Sequence, residues 1–331
     1  MKKKNKLSVV LATRNEEANI GECLKSVQDN LLTPLRQGYE GQGEIIVFDE
    51  KSDDKTVEIA EKYGAKVKTF VHTTNFHQTK QKAIDAATGE WVLQLDADER
   101  VSPKLGKEIT AVVSSTNEEL LNRVVYHPER SSSKNNEAEG SREKTNSIRF
   151  LHSGRNGKKP EIFQRHQRLI EEREGHLGKP TGEVVAFFIP RVNFFVGKPL
   201  LYAGVYPDGV IRLIKQGKAR LPAKSVHEVM EVDGEVGWLF NDLEHHESPT
   251  LHRYIERANR YTDLTAKELK KKKIAKSNWQ LFRYSLLLPA YYFLLLYIRH
   301  RGYKDGMRGF LWSFFSALHH ALAYWKFYVE A

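Results

Sequence analysis

Trp91-Val92-Leu93-Gln94-Leu95-Asp96-Ala97-Asp98-Glu99 is the stretch on which the fold turns. Its first five residues are a short apolar run, the length of a buried strand. Two carboxylates one residue apart follow at once. At the carboxyl end of a strand they can converge on one divalent cation. Their hard oxygens suit Mg²⁺ or Mn²⁺, ions that share their shell with phosphate oxygens. The competing reading is a turn whose acidic residues cap the next helix.

Working outward, the same alternation recurs. Leu7 to Leu11 reads as a buried strand, and Ile20, Cys23, Leu24 and Val27 then share one helical face. Glu44 to Phe48 is a second strand and Thr56 to Tyr63 a helix closed by Gly64. Lys66 to Val71 alternates as a third strand. His77 to Ala87 is helical and ends at Thr88-Gly89. Past the carboxylates, Pro103 opens a helix with Leu105, Ile109 and Val112 on one face. Strand and helix at this spacing predict parallel βαβ units with ligands at the carboxyl ends of the strands.

The pattern stops near residue 128. Glu129 to Gly182 is rich in Ser, Asn, Glu, Lys, Arg and Gly, and reads as a long inserted loop. Strand character resumes at Val184–Ile189 and Val210–Ile214, and Ser248-Pro249-Thr250 starts a helix. The expected organisation is a first half over 1–113, an inserted flexible segment over 114–182, a second half over 183–247 and C-terminal helices over 248–331.

Three further clusters sit where loops should be. Ala12 to Glu17 precedes a helix, so its backbone N–H groups and Arg14 can meet an anion, or Thr13 or Asn15 can simply cap that helix. Asp49 to Thr56 places acidic side chains where a base or ribose could donate to them. His227-Glu228 offers a metal ligand beside a base, or an ordinary surface pair. His245 and His246, adjacent on a strand, point to opposite faces, so at most one lines a site. No G-x-G-x-x-G or G-x-x-x-x-G-K-[ST] loop is present, which argues against dinucleotide cofactors and P-loop hydrolysis.

The 331 residues carry a net charge of +10 and a single cysteine, Cys23. That excludes an intramolecular disulfide framework and predicts a reducing compartment. The basic start, Met1 to Lys6, is followed by too short an apolar run for a secretory signal. The positive balance suits nucleotides, an anionic membrane or nucleic acid. A basic nucleic-acid-binding protein explains the charge and Lys270–Lys273 but not four polar loops at strand ends, and no RNP-type aromatic motif is evident.

Together the motifs resemble the inverting family 2 glycosyltransferases of GT-A fold. The resemblance runs through Val9–Glu17, Ile45–Asp49 with Ser52–Thr56, and Ala87–Trp91 into Asp96–Glu99. Arg212-Leu213-Ile214, Val226-His227-Glu228, the Tyr254–Ala266 stretch and Gly302–Gly306 resemble the lipopolysaccharide-core β-glucosyltransferase-like branch. The implied fold is α/β, a Rossmann-like nucleotide-diphospho-sugar transferase domain, with a C-terminal helical, membrane-associating extension.

The resemblance implies that Asp96 and Asp98 hold Mg²⁺ or Mn²⁺ on the donor diphosphate, Asp98 the more directly, with His227 a further candidate ligand. It implies that Thr13, Asp49 and Glu50 hold the base and ribose, that Lys80 and Gln81 lie near the donor, and that Glu228 is the catalytic base. The implied partners are a nucleoside-diphosphate sugar, in the first instance a UDP-sugar, a lipid-linked or glycan acceptor, and an anionic membrane surface, with no nucleic acid. The family pattern D-[DS]-G-S-x-D-G-T becomes Asp49-Glu50-Lys51-Ser52-Asp53-Asp54-Lys55-Thr56, without glycine.

Two apolar stretches, Tyr284–Ile298 and Phe310–Val329, end the chain. The first has only about 15 residues against the roughly 20 needed to span, and is expected to be broken by Pro289. The expectation is helices lying at the cytoplasmic face of the inner membrane, peripheral or monotopic, against the alternative that both stretches pack as buried helices on the catalytic domain. Sugar transfer to polyprenyl phosphate is the alternative activity.

Overall fold

A computed structural model of the chain describes residues 6–33, 35, 43–71, 76–124, 165, 168–169, 181–222 and 230–329. His227, Glu228 and most of the 114–182 stretch lie outside the described residues.

The first half is βαβ. Strand β1 (Leu7–Thr13) leads to helix α1 (Ile20–Val27), β2 (Gly43–Asp49) to α2 (Thr56–Lys62), and β3 (Lys66–Thr69) to α3 (Phe76–Asp85). Then come β4 (Trp91–Leu95), the short β5 (Glu99–Val101), α4 (Pro103–Ser114) and α5 (Asn117–Val124). The second half adds β6 (Val184–Phe195), β7 (Lys198–Pro199), β8 (Asp208–Lys215), β9 (Ala219–Arg220), β10 (Glu231–Val232), β11 (Glu235–Trp238) and β12 (Leu243–Ser248). Three long helices close the chain: α6 (Leu251–Lys271), α7 (Asn278–Arg299) and α8 (Gly306–Val329).

The main sheet runs β3-β2-β1-β4-β8-β6-β12-β5. The first four strands are mutually parallel and β8 is antiparallel to β4. β1 and β4 are buried along their whole length, and so read as continuous apolar runs. One face packs on α1 and α4 through Ile20, Leu24, Leu105 and Ile109, and the other on Ala83 and Ile84 of α3. At about 25 cal/mol per Å² of apolar area these two faces supply the main driving force for the domain.

A buried carboxylate ties the parallel strands together. Glu44 of β2 accepts from Ser8 Oγ of β1 at 2.7 Å, from Thr88 N at 2.9 Å and from Lys66 Nζ of β3 at 2.7 Å. Gly89 N donates in turn to Ser8 Oγ at 2.8 Å. A Cβ on Gly89 would stand 2.7 Å from Ser8 N, so only glycine lets the turn before β4 come this close.

Two expectations are corrected. Helix α5 lies inside the stretch expected to be inserted and flexible from residue 114. Leu120 is buried in the core and Asn117 pairs with Val184 N and Gly182 O at the edge of β6. Pro289, expected to break the last helices, sits inside the 22-residue helix α7. Ser277 caps α7, and a π-helical segment over Arg283–Leu287 directly precedes the proline turn. In that segment Leu288 N donates to Arg283 O, shifting the ladder by one residue just where proline lacks a donor.

Candidate active site

The carboxyl ends of β1 and β4, the inner end of β6, the start of β8 and the middle of β12 surround a cleft of about 790 Å³. Its polar lining includes Lys80, Asp96, Asp98, Arg191, Asn193, Asp208 and His245, with Glu16 and Glu247 at its edge. Its far wall comes from the C-terminal helices, through Leu296, Trp312 and Ser316.

Asp96 and Asp98 leave β4 in a turn closed by Glu99, whose carboxylate accepts from Asp96 N at 2.9 Å. The two then part in role. Asp96 carries two cations: Lys80 Nζ on Oδ1 and Arg212 Nη2 on Oδ2, each at 2.5 Å. Burial pushes its pKa up, but Arg212 and then Lys80 hold it well below the usual carboxylate range. Arg212 is buried and also reaches Glu99 at 2.8 Å and Gln94.

Asp98 faces His245 instead, with Oδ2 3.5 Å from Nε2. Burial raises the Asp98 pKa, and the His245 contact more than offsets it. His245 Nδ1 lies 2.5 Å from Asn193 Oδ1, and Asn193 Nδ2 donates to Asp208 at 3.2 Å, which assigns the amide. Nδ1 therefore donates to Asn193, and Nε2 is the ring nitrogen that faces Asp98. A carboxylate oxygen and an imidazole nitrogen at this separation suit Mn²⁺ or Mg²⁺. Among the described residues no group of three or more His, Cys, Asp or Glu is arranged to hold a metal, so further ligands would have to come from phosphate or water. His246, on the opposite face of β12, stacks on Phe194 at 4.2 Å.

The other expected residues are distributed as follows. Thr13, Asp49 and Glu50 are buried at the ends of β1 and β2, beside the cleft rather than among its lining residues. Asp49 accepts from Thr13 Oγ1 at 3.1 Å and from Ser52 N at 2.8 Å, and Glu50 accepts from Thr79. Lys80 lines the cleft. Gln81 does not: its amide accepts from Leu221 N at 2.8 Å and donates to Asp85 at 2.7 Å. The first two loops interlock, Asn15 N donating to Ser52 Oγ and Asp53 N to Asn15 Oδ1, both at 2.9 Å.

Arg191, Asn193, Asp208 and Arg212 were not singled out as candidates from sequence. Arg191 binds Asp208 Oδ2 through Nη2 at 2.6 Å and Nε at 2.9 Å, and reaches Glu99 at 3.3 Å. The available signal was Arg212 itself, a charge inside the apolar run Val210–Ile214.

The family model of glycosyl transferase family 2 matches residues 8–170. An uncharacterized glycosyltransferase of Rickettsia conorii is 25% identical over 92% of this chain and 84% of its own. One from Rickettsia typhi is 35% identical, but over only 34% of this chain and 35% of its own. The lipopolysaccharide core biosynthesis glycosyltransferase LpsC of Rhizobium meliloti is 22% identical over 97% of this chain and 92% of its own. Among solved structures, S. aureus TarS 1-349 in complex with UDP-GlcNAc covers 96% of this chain and 81% of its own at 13% identity and a TM-score of 0.41. Over residues 8–170 the chain is similar to glycosyl transferase family 2, and it is a glycosyltransferase of GT-A fold.

Proposed function

We propose that the protein is a metal-dependent, inverting transferase that moves a sugar from a nucleoside-diphosphate sugar, in the first instance a UDP-sugar, to a lipid-linked glycan or lipopolysaccharide-core-like acceptor in cell-envelope synthesis. The observation that carries this reading is the cleft itself. It brings Asp98 and His245 within 3.5 Å at one side and a wall of Leu296 and Trp312 at the other. The name of the Rhizobium relative, aligned over 97% of the chain, supports the acceptor class.

Asp98, with His245, would hold the divalent cation, whose chemistry is to offset the charge of the departing diphosphate. Lys80, paired with Asp96 at the cleft edge, is placed to turn its ammonium toward the same phosphates. Arg212 fixes the Asp96 carboxylate from behind. Glu228 takes the proton of the attacking acceptor hydroxyl. Attack opposite the leaving group inverts the anomeric carbon. The site lies at the cytoplasmic face of the membrane, where such acceptors are built.

The test is a panel of nucleoside-diphosphate sugars given to purified protein with Mn²⁺ and a membrane lipid fraction. Sugar should enter the lipid fraction with the opposite anomeric configuration, read by NMR. Polyprenyl phosphate is a second acceptor, favoured by α7 being long and apolar enough to cross a membrane. Transfer to that lipid alone would select it. Retention of configuration would refute the mechanism.

A further inference from the structure

Helix α7 is apolar, and its outer face has no partner among the described residues. Trp279, Phe282, Leu286, Tyr291, Leu294 and Ile298 recur at helical spacing and are between 46 and 62% exposed. Its inner face runs antiparallel along α8, with Tyr284 stacked on Tyr324 at 4.6 Å, Tyr292 on His320 at 4.2 Å and Tyr297 against Phe310 at 5.8 Å. Helix α6 flanks α8 over the same length, from Tyr254 beside Trp312 at 5.8 Å to Leu269 packed with Tyr324 and Phe327. The exposed side chains of α6 include the charged Arg253, Glu256, Arg260, Lys267 and Glu268, interspersed with Ile255, Tyr261 and Leu264. The layer thus has one apolar helix and one charged helix side by side.

That pairing decides how the layer can meet lipid. If α7 crossed a bilayer, α6 would be carried across with it, and its exposed charges would enter hydrocarbon. If α7 lies flat, its outer stripe enters the acyl boundary and α6 stays in water. Cations stand at both ends of α7. Lys271, Lys272 and Lys273 precede it, and Arg299, Arg301 and Lys304 follow it; all are exposed and none pairs with a carboxylate among the described residues.

We propose that the C-terminal helices form an in-plane docking surface for an anionic bilayer, with α7 embedded lengthwise and the Arg299–Lys304 turn on phospholipid head groups. The surface is coupled to the cleft. Ala203 N donates to His300 O at 3.0 Å, and the Asp305 carboxylate accepts from Tyr202 N at 2.8 Å. These bonds tie the turn to a loop that lines the cleft beside Leu296. The mouth is thereby held at the lipid surface, where an acceptor can enter sideways. Only that last consequence rests on the transferase reading above.

The test uses the full-length protein and flotation with vesicles of phosphatidylglycerol in phosphatidylcholine, or phosphatidylcholine alone. Binding should prefer the anionic vesicles, and the triple variant R299Q/R301Q/K304Q should weaken it roughly 100-fold, at about fivefold per charge. The pair Leu286→Asp and Leu294→Asp should abolish binding with the circular dichroism spectrum retained. Position is read with single labels. Leu294→Cys should be quenched by lipid-borne quencher, while Glu256→Cys stays open to a membrane-impermeant maleimide added outside. Cys23 is buried with its thiol pKa raised by that burial, so its background is low. A Glu256 label reached only after vesicle lysis would overturn the in-plane arrangement. A protein that turns over donor in solution yet ignores both vesicles would overturn docking while leaving the transferase reading intact.

Discussion

Asn193 and His245 lie on neighbouring strands, and their side chains meet at 2.5 Å, Oδ1 to Nδ1. That contact sets which imidazole nitrogen faces Asp98. Replacing Asn193 with Ala removes the acceptor and frees the ring to rotate. The expected result is a weakening of apparent Mn²⁺ affinity by about 10–100-fold with the fold intact. Mn²⁺ titration of donor turnover checks it. An unchanged metal requirement would show that His245 takes no part.

Asp96 is held by Arg212 and Lys80, so Asp96→Asn acts on stability as well as turnover. It leaves the buried Arg212 guanidinium with Glu99 as its one remaining carboxylate. The expected loss is about 3 kcal/mol, the low end for breaking a buried pair, because Glu99 still compensates. Urea denaturation reads it directly. A variant as stable as the parent would mean that the pair is not a structural element of the β4 turn.

Acid should act through Glu44. Burial pushes this carboxyl up, but Lys66, Thr88 and Ser8 outweigh it and bring the pKa down from 4.5 to about 2. The folded value is below the unfolded one, so the stabilisation is fully present above about pH 4.5. It fades as pH falls toward 2. Glu44→Gln should therefore be destabilised relative to the parent at pH 7, with the gap closing across that window. A gap independent of pH would place the cost in packing rather than charge.

For Glu228, the conservative change Glu228→Gln keeps shape and removes the proton acceptor. A loss on the order of 10²–10⁴ in kcat with donor binding unchanged is expected. A rise in acceptor KM at constant kcat would reassign the residue to acceptor binding.

The parallel half was legible because strands buried on both faces are unbroken apolar runs, as in Val9-Val10-Leu11 and Trp91–Leu95. Asp96 and Asp98 were legible because position after such a strand restricts what carboxylates can do. Arg191 and Arg212 were not, since an arginine inside a strand reads as an outward-facing residue until the partner carboxylates are brought to it by other strands. Lys51 shows the same limit locally. It adopts φ +49° where the family pattern has glycine, a conformation set by the interlocked loops rather than by its own preference. Pro289 misled because a π turn, invisible in residue order, removes the bond it would have broken.

In the proposed function Asp98 is the carboxylate through which a divalent cation and the donor diphosphate are held. Calorimetric titration of UDP into the full-length protein, with Mn²⁺ and with EDTA, tests it most directly when run on the parent and on Asp98→Asn. Binding is expected in Mn²⁺, with its loss in EDTA and its loss in Asp98→Asn even with Mn²⁺ present. UDP binding of equal strength in EDTA, or in Asp98→Asn, would contradict it.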